Sequence, residues 1–165
     1  MKHMFAKTRK FLLASSVVVM SAFALTSCSR DDDGSGYDND TMYTISGNAN
    51  GSQMVPSVTG NGTATITGTY NAGTGVLNYT TNWTGLSGAP TSGAFYTGAT
   101  GSNGTMVGTN WTLGTGLTGT GTLSGTTTLT ADQFNSLRSG NWYYSLGTST
   151  NTNGEVRGQI TATPM

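Results

Sequence analysis

From residue 42 onward the chain alternates apolar and polar side chains with a period of two, the spacing of a strand with one face turned inward. In Thr63–Tyr70, Ala64, Ile66 and Tyr70 share one face, while Thr63, Thr65, Thr67 and Thr69 share the other. Val76–Trp83 repeats the pattern, with Leu77, Tyr79 and Trp83 opposed to Asn78, Thr80 and Asn82. Residues 71–75 between them, Asn-Ala-Gly-Thr-Gly, form a hairpin loop of ordinary length. The alternation returns at Tyr43–Ser46, Ala94–Ala99, Thr105–Leu113, Leu117–Leu129, Trp142–Leu146 and Glu155–Ala162. In the last of these, Val156, Ile160 and Ala162 read as inward, and Glu155, Arg157, Gln159 and Thr161 as outward. Roughly eight short strands with Gly-rich turns predict an all-β fold, an immunoglobulin-like or Greek-key β-sandwich.

One segment breaks the period. Thr130-Ala131-Asp132-Gln133 has the form of a helix capping box, Phe134 and Leu137 then lie three apart, and Gly140 closes the run. A short helix is therefore expected over 131–138, lidding one end of the sandwich. The Gly/Thr-rich stretch 114–130 is irregularly spaced and does not recur, which argues against a solenoid.

Residues 1–41 are written differently. A basic start, Met1–Lys10, leads into the apolar run Phe11–Leu25, shorter than the ~20 residues a membrane-spanning helix needs. Leu25-Thr26-Ser27-Cys28 resembles the lipobox of bacterial lipoproteins, which implies a signal peptide over 1–27 and a lipid on Cys28. Residues 28–41 are acidic and Gly-rich, with too little apolar surface to order themselves, and read as a tether. The run Asp31-Asp32-Asp33 behind the Cys resembles the signal that takes one group of bacterial lipoproteins to the outer face of the outer membrane. It also resembles the start of an EF-hand loop, yet the twelfth position, where a bidentate Glu belongs, is Met42. Asp40-Thr41-Met42 is similar to an O-glycosylation tripeptide, a pattern too short to carry weight. The expected organisation is thus signal 1–27, lipidated tether 28–41 and domain 42–165.

The formal net charge of zero conceals a segregation. Lys2, Lys7, Arg9 and Lys10 all precede the apolar run. Beyond it Arg30, Arg138 and Arg157 face Asp31, Asp32, Asp33, Asp38, Asp40, Asp132 and Glu155. With no basic patch to release counterions, nucleic acid is excluded as a partner. The single Cys leaves no intramolecular disulfide, so packing and the hydrogen-bond ladder must carry stability.

Several segments together resemble the CHRD domain, named from chordin. They are residues 51–56 (GSQMVP), 62–65 (GTAT), 83–88 (WTGLSG), the helix start Leu129-Thr130-x-x-Gln133, 140–143 (GNWY) and 153–159 (NGEVRGQ). The resemblance spans nearly all of 43–162 and implies an immunoglobulin-like sandwich with no settled biochemical activity. Relatives commonly carry a His-x-His pair in a central strand and another His before the Gly-Glu-x-Arg-Gly motif. Phe95, Thr97 and Gly147 stand there instead, so the resemblance implies no metal site in this chain.

The side-chain inventory narrows the chemistry further. The one His is His3, inside the expected signal, and Cys28 is committed to lipid. No metal site, cofactor or catalytic residue is expected. Asp132 and Glu155 are the one carboxylate pair a glycan-hydrolysing mechanism would have. Asp132, however, suits the first turn of a helix, and Glu155 lies two residues from Arg157 on one strand face, close enough to pair. Glu155 and Arg157 therefore read as a structural pair or, with Tyr143 alongside, a recognition site. Trp83, Trp142 and Tyr79 read as core. So do Trp111 and Tyr96, although a surface pair of these would suit sugar rings.

The expected function is a non-enzymatic surface module for adhesion, binding or assembly, anchored to the membrane by its lipid. Its partner would be a surface protein, a matrix polymer or a glycan. The alternative is a carbohydrate-binding or carboxylate-dependent glycan-hydrolysing lipoprotein. The two part on whether a groove gathers exposed aromatics, or both carboxylates, in one place.

Overall fold

A computed structural model describes residues 41–165. The expected signal peptide, Cys28 and the acidic tether lie outside the described residues. Among those described, no helix is long and apolar enough to cross a membrane.

The domain is all-β, a curled antiparallel sheet with one short helix. Its strands are β1 (Met42–Asn50), β2 (Thr63–Asn71), β3 (Val76–Thr84), β4 (Pro90–Thr97), β5 (Met106–Val107), β6 (Gly121–Thr128), β7 (Trp142–Thr148), β8 (Val156–Gln159) and β9 (Thr161–Pro164). Their spatial order is β5-β4-β7-β8-β1-β2-β3-β6, with β9 also on β1. β1 and β8 share a single register pair, Asn50 with Arg157, so the sheet folds over at that seam. The halves on either side face each other as the layers of a sandwich. The chain bends across the seam at Ile160, between β8 and β9, and that side chain is fully buried.

The period-two reading is borne out where it is strongest. Ala64, Ile66 and Tyr70 of β2, and Leu77, Tyr79 and Trp83 of β3, are all buried. The Asn71–Val76 pair closes the hairpin between them. Tyr79 meets Phe95 of β4 at 5.0 Å between ring centres, joining the layers, and Trp111 packs on both at 5.3 and 5.1 Å. Tyr43, Phe134 and Tyr70 form a second cluster at the other end of β1.

Helix α1 (Ala131–Arg138) forms where the capping box places it: the Thr130 hydroxyl accepts from Gln133 N at 3.2 Å, and the Gln133 side chain accepts from Thr130 N at 2.9 Å. Phe134 stacks on Tyr70 at 3.9 Å and Leu137 is fully buried, so the helix does lid one end.

Two strand readings need correction. Thr105–Leu113 yields only Met106–Val107, because Gly108 takes a left-handed φ of +72° and turns the chain. Trp111 then enters the core from irregular backbone, its main-chain N–H donating to Gly93 O at 2.7 Å. In Leu117–Leu129 the strand begins only at Gly121, since Thr118 O accepts from the Trp83 indole and Gly119 O from Leu86 N, outside the ladder.

Replacing Phe134 with Ala should cost about 3–5 kcal/mol by emptying this end of the core. Thr130→Ala should cost about 1 kcal/mol through the lost cap. Urea unfolding of both variants checks the ranking.

Candidate functional site

Both faces of β7 are covered from Trp142 to Thr148. One face, with Trp142, Tyr144 and Leu146, belongs to the apolar core. The other carries Tyr143 and Ser145 and continues onto Arg157 and Gln159 of β8, through the Ser145–Arg157 and Tyr143–Gln159 register pairs. Irregular segments around residues 51–58 and 98–104 shelter this second face. Their backbone groups lie outside the ladder and need partners. Gly98 O and Ala99 O take theirs from the side chains of Gln159 and Arg157, whereas in 51–58 Gly51 O accepts from Met54 N and Val58 N, and Val55 O accepts from the Asn103 amide.

Glu155 is 3% exposed and receives four hydrogen bonds. Ser87 N donates to Oε1 at 2.7 Å; the Ser87 and Thr148 hydroxyls and the Asn151 amide donate to Oε2 at 2.5, 2.6 and 3.3 Å. Burial pushes its pKa up, but the bonds from Ser87, Thr148 and Asn151 outweigh that and hold the carboxyl below its ordinary value. The carboxylate thereby ties the turn after β3 and the β7–β8 loop to one point.

Arg157 is 2% exposed. One of its amino groups, Nη2, donates to Ala99 O at 2.9 Å, and the guanidinium carbon lies 3.6 Å above the centre of the Tyr143 ring. Tyr143 is also stacked on Tyr96, 5.1 Å away and 9° from parallel, and its hydroxyl accepts from Gly104 N at 3.3 Å. Gln159 completes the clamp, donating to Gly98 O at 2.8 Å and to Gly140 O at 2.7 Å. Gln53 donates to Asn48 O at 2.9 Å.

The glycines of this stretch are positional. A Cβ on Gly158 would stand 2.7 Å from both Asn48 O and the Tyr144 ring, while Gly154 holds a φ of +121° against Met54 and Ser145.

Three sequence readings change here. Glu155, Arg157 and Gln159 do leave the apolar core, but Glu155 and Arg157 do not reach solvent, because loops cover that face. Glu155 and Arg157 do not pair: the carboxylate is taken by Ser87, Thr148 and Asn151, the guanidinium by Ala99 and Tyr143. Trp111 and Tyr96 form no surface pair, since Trp111 is core and Tyr96 stacks on Tyr143. Asp132 sits in the first turn of α1 as expected, beside the Tyr43 end of β1, whereas Glu155 lies near the Asn50 end. Seven residues of strand place these ends about 23 Å apart, beyond the ~5–10 Å of a glycosidase pair. Thr148 and Asn151, which help hold the arrangement together, were not singled out by sequence reasoning, and Ser87 and Gln159 entered only within the family-like segments and, for Gln159, as an outward strand position.

Phe95, Thr97 and Gly147, where relatives carry histidines, are respectively in the aromatic core, bonded through its hydroxyl to Thr105, and packed against Ser92. Among the described residues no group of three or more His, Cys, Asp or Glu gathers.

Above the buried layer lies an open cleft of about 600 Å³. Tyr96, Tyr143 and Arg157 line it, with Met54–Pro56 on one wall and Thr150–Gly154 on another.

The CHRD domain family matches residues 45–160, most of the chain and all of this layer. The chain belongs to the CHRD domain family. No curated protein and no solved structure shows a significant match to it. The CHRD domain is not a known enzyme family, and together with the β-sheet fold it supports a non-enzymatic, binding type of module.

Glu155→Gln should destabilise the domain by about 2–4 kcal/mol. Folding lowers the Glu155 pKa, so its contribution is present above the ordinary value of 4.5 and is lost as the pH falls through the folded value. Urea midpoints measured from pH 7 down to pH 3 should therefore fall more steeply in the wild type than in the variant.

Proposed function

We propose that this chain is a surface lipoprotein whose CHRD domain binds rather than catalyses. Glu155 carries the reading. The carboxylate in the family motif is buried, ionised and filled by four donors, so it is suited to holding loops and not to exchanging protons. Asp132, the other acid of the domain, lies at the far end of β1. The open cleft above the motif, lined by both polar and apolar side chains, is the surface assigned to a partner: a surface protein, a matrix polymer or a glycan.

Display at a membrane rests on residues 1–41: a basic and apolar leader, a lipobox-like Leu-Thr-Ser before Cys28, and an acidic spacer behind it. A lipid there contributes ~0.8 kcal/mol per buried CH₂, enough with several acyl chains for stable anchoring.

In a Gram-negative bacterial host the protein should fractionate with the outer membrane, incorporate labelled palmitate and be cleaved by protease added to intact cells. Cys28→Ser should lose the label and move to the soluble fraction. An unlabelled wild type, or a variant that stays in the membrane, would refute the anchor. Glycan turnover abolished by Glu155→Gln, in a variant that remains folded, would refute the binding reading.

A further inference from the structure

The Arg157 guanidinium is a buried cation with no counter-ion among the described residues. Among the described residues no carboxylate lies within ion-pair distance of it. The charged side chains of residues 41–165 are Asp132, Arg138, Glu155 and Arg157, and Glu155 is already saturated by other donors. One amino group is spent on Ala99 O; the other, Nη1, is buried with no hydrogen-bond partner. A desolvated, unpaired guanidinium N–H is unfavourable, and a bound anion is the group that offsets it best.

Its surroundings narrow the anion. Arg157 lines the cleft together with Tyr96 and Tyr143. The lining is mixed: Met54, Val55, Pro56 and Val58 are apolar, while Asn103, Thr150, Thr152 and Asn153 bring short neutral amides and hydroxyls that match the donors and acceptors of sugar hydroxyls. Tyr143 is enclosed between Arg157 and Tyr96, so Tyr96, half-buried on the cleft wall, is the ring positioned for stacking. No second cation lines the cleft, which fits a compact ligand with a single charge rather than a polyanion.

The geometry points to a binding site for an acidic sugar unit, its anionic group meeting Arg157 Nη1 and its hydroxyls meeting the Asn and Thr side chains of the lining. Arg157 lines the cleft while its Nη1 is itself buried, so an anion reaches that atom only if a lining side chain moves. Met54 suits that role: it is unbranched and half-buried, and its sulfur contacts Ser145 at 3.7 Å. The inference deepens the binding-module reading by naming the ligand class, and it rests on that reading.

The test is calorimetric titration of the full chain carrying Cys28→Ser with three probes: uronic-acid oligosaccharides, their methyl esters and a sulfated oligosaccharide of similar length. The acid should bind at least about tenfold more tightly than its ester, since only the acid brings a charge to Nη1. The sulfated arm decides whether carboxylate or sulfate is the preferred anion. Asn153→Ala, at an exposed turn position, should weaken binding about fivefold or more at an unchanged Tm, and Tyr96→Ala should weaken it at least as much while lowering the Tm through the lost stack on Tyr143. Equal binding of acid and ester, no binding to any acidic sugar, or equal binding of an acidic peptide would each overturn the assignment. If neutral glycans or a protein bound instead, the acidic-sugar site would fall and the binding module would stand. Glycan turnover lost with a folded Glu155→Gln would remove the module itself.

Discussion

A strand pair buried on both faces, one by apolar side chains and the other by loops, governs this domain. Loops bring unpaired carbonyls and N–H groups with them, and a buried backbone group must find a partner. On the second face of β7 and β8 those partners are side chains. Glu155 takes the backbone of Ser87, Arg157 takes Ala99 O, and Gln159 takes Gly98 O and Gly140 O. The Gly-Glu-Val-Arg-Gly-Gln motif is thus a connector that alternates between two jobs. Val156 fills the apolar core and Gly158 lets β1 and Tyr144 approach, while the polar residues between them fasten the loops.

The same constraint shapes function. A carboxylate that is desolvated and filled by donors stays ionised and takes little part in proton transfer, so the strongest polar chemistry of the domain is committed to structure. What remains accessible is the surface this structure fixes. Glu155 fastens the cleft wall at Asn151, Tyr143 fastens Gly104, and Asn103 in turn holds Val55 O on the opposite wall, giving an irregular surface some of the preorganisation of a sheet. Arg157 belongs to both sides of this division. It holds Ala99 with one amino group, and its other is buried without a partner among the described residues.

How legible this was depends on what period two encodes. Alternation separates the two faces of a strand, and in β2 and β3 one face is wet, so inward and outward were assigned correctly. In β8 alternation again separated Val156 and Ile160 from Arg157 and Gln159, but it cannot say whether the second face meets water or loops. That is why Arg157 was read as outward and Glu155 as its partner. Helix α1 was legible because a capping box is a local contact between Thr130 and Gln133. The segment from Thr105 to Leu113 was not, because a left-handed Gly108 and the long-range contacts of Trp111 decide its path. The motif marked the site. Its clamps on Ser87, Ala99 and Gly140 span from 19 to 68 residues, beyond what spacing reveals.

Glu155 and Arg157 fasten different segments and not one another, and a double-mutant cycle of Glu155→Gln and Arg157→Gln measures this directly by equilibrium unfolding. Their destabilisations should add to within about 0.5 kcal/mol. A coupling above about 1.5 kcal/mol would mean that the two side chains form an ion pair, contradicting the loop-fastening account.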